Sequence, residues 1–238
     1  MLVAAAVCPC PPLLVPEVAA GAGPELDGAR NACLDALGVL AAARPDLLIV
    51  AGPAAPDGRG PFPPGSQGSF AGFGVDLSVR LGEGPDGAPA PESRLPASLA
   101  VGAWLLRRAR WNGPVEGLGV GEPLPADRCL RAGADLADRA ERVALLVMGD
   151  GSACRTVKAP GYLDERAEDF DAAAARALGS ADIAALSALD ESLAYELKVS
   201  GRAPWQVLAG AAEGAGLGGQ LLYEDAPYGV GYVVAAWS

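Results

Sequence analysis

The chain reads as an α/β protein, a three-layer α/β/α sandwich around a mixed, mostly parallel sheet, with residues 1–238 forming one domain. Three observations predict this. Short apolar runs, Leu2 to Val7, Leu47 to Ala51 and Val143 to Met148, each stop abruptly at turn residues, as strands buried on both faces do. Stretches with helical spacing separate them. Two more short runs flank Glu224-Asp225-Ala226-Pro227-Tyr228 at the end of the chain, which predicts a hairpin and so some antiparallel pairing. In such sheets ligands bind beyond the carboxyl ends of the strands. The tips Cys8-Pro9-Cys10-Pro11-Pro12, Gly52-Pro53-Ala54 and Gly149-Asp150-Gly151-Ser152 therefore outline one cleft.

Each element follows from its residues. After the first strand, four prolines between Pro9 and Pro16 stiffen a turn by fixing φ and removing donors. Pro24-Glu25-Leu26 opens a helix to about Ala43, with an acid in its first turn as the helix dipole favours. Leu26, Ala29, Cys33, Leu37 and Leu40 share one face, so Cys33 is expected in the core. Gly52 to Gly74 is a long Gly/Pro/Ser-rich segment. Phe62, Phe70 and Phe73 either cover a cleft or anchor this loop, and anchoring is the simpler expectation. Val75 to Leu81 alternates apolar and polar residues, as a half-exposed edge strand does. Gly82 to Pro91 reads as a flexible connector, Pro96 to about Trp111 as a helix, Val115 to Val120 as a strand and Asp127 to Arg142 as an amphipathic helix. Beyond the third tip, helices are expected over Asp164 to Leu178, within Asp182 to Leu197, and from Gly201 to about Glu213.

Composition narrows the chemistry. The sequence contains no histidine. That excludes Ser-His-Asp and Cys-His catalysis, any imidazole metal ligand and a two-histidine, one-carboxylate iron site. Eighteen basic residues against 29 acidic ones leave a formal charge of -11, which repels phosphate backbones and argues against nucleic acid as a partner. Five cysteines, Cys8, Cys10, Cys33, Cys129 and Cys154, are odd in number and irregularly spaced, as reduced cytoplasmic thiols are. Leu2 to Cys8 faintly resembles a lipoprotein signal, but it is short and no basic residue precedes it. With no run of membrane-spanning length, the expectation is a soluble cytoplasmic protein without a membrane partner.

Several tip residues invite a chemical reading. Cys8-x-Cys10 offers two thiols to a metal, although the spacing is not that of zinc ribbons and buried core thiols are commoner. Gly149-Asp150-Gly151-Ser152 either presents N–H groups to an anion, with Asp150 as base or ligand, or is a turn in which Asp150 caps its own neighbours. Ser152 lacks a histidine to activate it as a nucleophile. Trp205 and Tyr228, with Tyr223 and Tyr232, suit either the wall of an organic ligand site or the edge of the core.

Taken in order, Cys8-Pro9-Cys10-Pro11-Pro12-Leu13-Leu14-Val15-Pro16-Glu17, Gly149-Asp150-Gly151-Ser152, the run Gly201 to Ala212 and the run Ala226 to Tyr232 resemble the class III extradiol ring-cleavage dioxygenases of the subunit-B-like (LigB-like) superfamily, and within it an actinobacterial branch. The resemblance spans most of the chain. It implies an α/β/α sandwich with an iron(II) site at the strand tips, where catalytic members open catechol-type rings with O₂. It also implies histidines where this chain has Cys10, Ala54 and Ala153, and a glutamate ligand for which Glu196 and Glu213 are the nearest acids. The metal site is therefore expected to be lost, with no cofactor and no ring cleavage. Cleft-lining candidates are Cys8, Cys10, Ala54, Asp150, Ser152, Ala153, Cys154, Trp205 and Tyr228. Three functions remain open: a repurposed protein binding a small molecule or partner at the old cleft, a divergent enzyme using Cys10, Asp150 and Ser152 with or without a non-iron metal, and an interaction subunit, with homo-oligomers possible.

Overall fold

The computed structural model describes residues 1–84 and 94–238. In chain order its elements are β1 (Leu2–Cys8), α1 (Pro16–Ala19), α2 (Asp27–Ala42), β2 (Leu47–Ala54), β3 (Gly60–Phe62), β4 (Gln67–Ser69), β5 (Ser78–Arg80), α3 (Ala97–Arg108), β6 (Val115–Gly121), α4 (Ala126–Ala137), β7 (Val143–Met148), α5 (Arg166–Ser180), α6 (Ile183–Ser187), α7 (Glu191–Glu196), α8 (Arg202–Ala212), β8 (Gly219–Asp225) and β9 (Tyr232–Trp237). Seven strands form one sheet in the order β3-β6-β2-β7-β1-β9-β8. The four in the middle, β6, β2, β7 and β1, are parallel; β3 at one side and the β9–β8 hairpin at the other run antiparallel.

The alternation of strand side chains divides the core in two. Ala4, Ala6, Cys8, Leu48, Val50, Leu146 and Met148 face α2 and α3. Ala5, Val7, Ile49, Leu145, Val147 and Trp237 face α5 and α8. All six residues of β7 are buried, as an apolar run without alternation requires. Alanines in β1 keep the middle of the sheet thin and let helices approach. Glycines do the same between α4 and α8: a Cβ on Gly133 would strike the Val207 carbonyl, and one on Gly210 the Leu130 carbonyl. The two helices therefore pack backbone to backbone.

Several expected boundaries shift for identifiable reasons. Residues 20–26 wind as a 3₁₀ segment, so α2 begins at Asp27 rather than at Pro24. The segment from Gly52 to Gly74 is not a plain loop. It extends β2 to Ala54, adds β3 beside β6, and includes β4. Phe62 and Phe70 are buried and anchor it, whereas Phe73 is exposed. The expected edge strand shrinks to Ser78–Arg80 and pairs with β4 in a separate two-stranded sheet, because β3 already occupies the main sheet's edge beside β6. Pro85 to Pro91 of the expected connector lie outside the described residues. No helix among the described residues is long and apolar enough to cross a membrane, and Leu2–Cys8 is a central strand.

Candidate functional site

The strand order puts β7 between β2 and β1, so the three predicted tips converge at one end of the sheet. Cys8 lies beside Met148 and Ala51 beside Val147. Beyond the ladder the chains stay joined. Gly149 N–H donates to the Cys8 carbonyl at 3.0 Å. Cys10, in its proline-bounded turn, donates its N–H to Asp150 Oδ1 at 2.8 Å, and its thiol lies 3.8 Å from Oδ2. The Asp150 N–H donates to Ser200 Oγ at 3.0 Å, and its carbonyl accepts from Gly201 N–H at 2.8 Å. Asp150 is thus the junction of β1, β7 and the start of α8. A Cβ on Gly149 would sit 2.5 Å from the Gly201 Cα, so only glycine lets α8 begin this close to the β7 tip.

Burial pushes the Asp150 carboxyl up to about 6, against the bonds from Cys10 that favour its charge. The Cys10 thiol is pushed well up, first by burial and then by the adjacent Asp150 charge. A third group joins them. β9 pairs with β1 as Ala5 with Trp237, Ala6 with Ala236 and Val7 with Ala235. Just before β9, Gly231 bonds to the turn after β7, accepting from Gly151 N–H at 2.7 Å and donating to the Ser152 carbonyl at 2.8 Å, so Tyr232 opens β9 beside that turn. Tyr232 is 2% exposed, and its phenol is pushed up by burial, the Asp150 charge and its neighbours Tyr228 and Cys10, with no hydrogen bond contributing.

The Gly-Asp-Gly-Ser turn does not cradle an anion. Each of its four N–H groups is already bonded: Gly149 to Cys8, Asp150 to Ser200, Gly151 to the Gly231 carbonyl at 2.7 Å, and Ser152 to Asp171 Oδ1 at 2.7 Å. Nor does Asp150 cap its own turn; it reaches across to Cys10. Ser152 is fully buried and donates its hydroxyl to Asp171 Oδ2 at 2.7 Å. Arg155 completes this cluster, with Nη1 3.3 Å from Asp171 Oδ2. Even so, burial raises the Asp171 carboxyl above its ordinary value. Ser152 is therefore a tether between β7 and α5 and does not line the cleft.

The other candidates divide similarly. Cys8 is fully buried with its thiol against Cys33 of α2, and Cys154 bonds the Leu197 carbonyl at 3.5 Å; both are core thiols. Ala54 sits at the end of β2 opposite Gly121. Ala153 contributes backbone only, donating to the Leu197 carbonyl at 2.9 Å and accepting from Gly161 at 2.8 Å. Trp205 is fully buried behind Gly201, its indole N–H without a partner, so it supports the site from within the core. Tyr228 is half-buried at the rim and donates to Glu25 Oε2 at 2.9 Å.

Two contributors escape a reading of the sequence. Ser200 needs the fold that brings α8 to the β7 tip. Arg202 is a buried guanidinium donating to the carbonyls of Glu122 and Leu124 and to Gln206 Oε1, so it holds the loop after β6. On the far side of Asp150, Ser200 lines a cavity of about 420 Å³ with Glu122, Tyr195, Glu196, Lys198 and Val199.

The iron(II) implied by the family resemblance does not fit these residues. Cys10 offers one sulfur already beside a carboxylate, and Ala54 and Ala153 offer methyl groups. Glu196 is exposed and paired with Arg166 at 2.7 Å, and Glu213 lies at the opposite end of α8 from the tips. No group of three or more Cys, Asp or Glu side chains able to hold a metal occurs among the described residues.

No family model matches the sequence, and no curated protein matches it. Among solved structures the chain is similar to the uncharacterized protein JW3007 from Escherichia coli K12, with a TM-score of 0.61, 16% identity and coverage of 99% of each chain. At that identity the likeness shows a shared α/β fold over the whole chain.

Proposed function

We propose that this is a LigB-like protein that binds a small ligand at the carboxyl-end cleft and does not cleave aromatic rings. The motif order shared with that superfamily supports the ancestry. One observation carries the binding role: the Asp150 carboxyl is held at the junction of three chain segments, and burial raises it to about 6. Perturbed carboxyls of this kind concentrate at functional sites. Cys10 lies buried beside Asp150, and Tyr228 is half-buried and bonded to Glu25. The five free, buried thiols fit a reducing compartment such as the cytoplasm.

The test is a fragment titration followed by amide NMR on the wild type and on Asp150→Asn. Asparagine keeps an acceptor for the Cys10 N–H and removes the charge. Shifts clustered at Cys10, Asp150, Gly201 and Tyr232, and lost in the variant, are expected. Shifts confined to other surfaces overturn the proposal.

A docking role has a separate basis. Val157, Tyr162 and Leu163 on the segment after β7 and Tyr195 in α7 are all exposed, at 46–70%. If this face is an interface, the mass in solution exceeds that of one chain and falls on Tyr195→Ser.

A further inference from the structure

We infer that a cavity at the carboxyl end of β6, apart from the Asp150 junction, binds a small apolar carboxylic acid, with the Arg59 guanidinium receiving the carboxylate. The cavity shares no residue with Asp150 and its bonded partners, so either place can be occupied without the other.

The cavity measures about 290 Å³ and is walled by Leu118 and Val120 of β6, Leu124 of the following turn, Ala132 of α4 and Val207 of α8. Arg59 is the one charged residue in this lining. Two other cavities of the described residues mix both signs: Arg80, Glu83 and Arg107 line one, and Glu122, Glu196 and Lys198 the other. A mostly apolar wall with a single oriented polar group is the make-up of sites for small organic ligands.

The fold fixes both the cation and the wall. β3 covers β6 only as far as Gly119, which pairs with Gly60, so Arg59, just before β3, lies where β6 runs on beyond that cover. There its side chain packs against Gly121: a Cβ on that glycine would lie 2.6 Å from Arg59 Nε and 3.0 Å from Cζ. The turn after β6 is held as well. The buried Arg202 donates to the carbonyls of Glu122 and Leu124, and Leu124 N–H closes the turn onto the Gly121 carbonyl at 3.1 Å. A cavity formed in advance spares a ligand the cost of ordering its walls.

Arg59 selects the head group by what it can offer. A guanidinium has five N–H donors, no acceptor and a permanent charge, so it rejects an amine and favours an anion. No salt bridge of the described residues engages Arg59. Its planar fork matches a carboxylate through two parallel bonds, stronger than bonds to a neutral oxygen. One cation suits one negative charge; a phosphate ester would bring a second charge against apolar walls with no partner for it. The start of α4 does not compete for the anion, because Ala126 N–H is already taken by Glu191 Oε1 at 2.8 Å.

Phenylacetate, its neutral isostere 2-phenylacetamide and acetate are each titrated into the intact protein, with amide NMR as the readout. Phenylacetate is expected to shift the amides of Leu118, Gly121, Leu124 and Ala132, and the other two probes to bind there about tenfold more weakly. Arg59→Gln is expected to weaken phenylacetate about tenfold and to leave phenylacetamide within about twofold. Ala132→Leu, which fills the cavity, is expected to abolish the binding of both. Arg59 is exposed and Ala132 half-buried, and each variant's own spectrum reports its fold. Phenylacetamide that binds as tightly as phenylacetate, or phenylacetate affinity unchanged in Arg59→Gln, overturns the carboxylate. Acetate that binds as tightly as phenylacetate overturns the apolar body. Shifts that avoid these residues, or that survive Ala132→Leu, overturn the site.

Discussion

Asp150 carries a carboxyl group that folding moves from water to the meeting point of three backbones. Its pKa rises from 3.8 to about 6. The folded state therefore binds this proton more tightly than the unfolded state, and stability falls as pH rises from about 4 to about 6. Two pKa units correspond to about 3 kcal/mol, and partial exposure of the side chain reduces that. Asp150→Asn should match the wild type near pH 4 and exceed it by about 2 kcal/mol at pH 8, as read from urea midpoints. A difference that stays constant with pH would show that burial is not shifting this group. Ser152, two residues away, has the opposite character. Its hydroxyl serves Asp171 inside the core, so Ser152→Ala should lower stability by about 2 kcal/mol and leave fragment binding at Asp150 unchanged. Weaker binding without loss of stability would return Ser152 to the cleft. Both residues stand out in the sequence as a polar pair after a buried strand. Their division of labour was not legible there, because Asp171 and Ser200 are distant in the chain and come near only through packing.

At the scale of elements, the buried strands were readable because an apolar run ended by glycine or proline leaves little alternative. The exposed polar face of α4 and the terminal hairpin were readable for the same kind of reason. The short pieces were not: β3 and β5 have three residues each, and their pairing depends on which edge the long strands leave open. The junction of β7 with α8 is the element contact on which the site depends. Gly149→Ala would drive a methyl group into the Gly201 backbone. It should cost about 2 kcal/mol or more and detach the Gly201 N–H from the Asp150 carbonyl. Hydrogen exchange at Gly201 checks this; protection equal to the wild type would mean that the helix start can shift without cost.

For the whole molecule, three parallel ladders bring the tips together, and the likeness to JW3007 extends that architecture along the whole chain. The side chains at the tips then decide which chemistry is available. With added iron(II) and catechol, the protein should consume no oxygen above the buffer rate, because Ala54 and Ala153 carry no donor atom and the Cys10 sulfur is held beside Asp150. Oxygen uptake that requires both iron and catechol would defeat this.

By itself the sequence determined the α/β class, the strands whose ends form the cleft, and the absence of imidazole from it. These are properties of residue type and local order, which survive without knowledge of distant neighbours. Only the tertiary structure decided that the turn amides are already bonded, that Ser152 points inward, and that Tyr232 is buried at the start of β9. Those outcomes depend on pairings between segments far apart in the chain, such as Cys10 with Asp150 and β1 with β9.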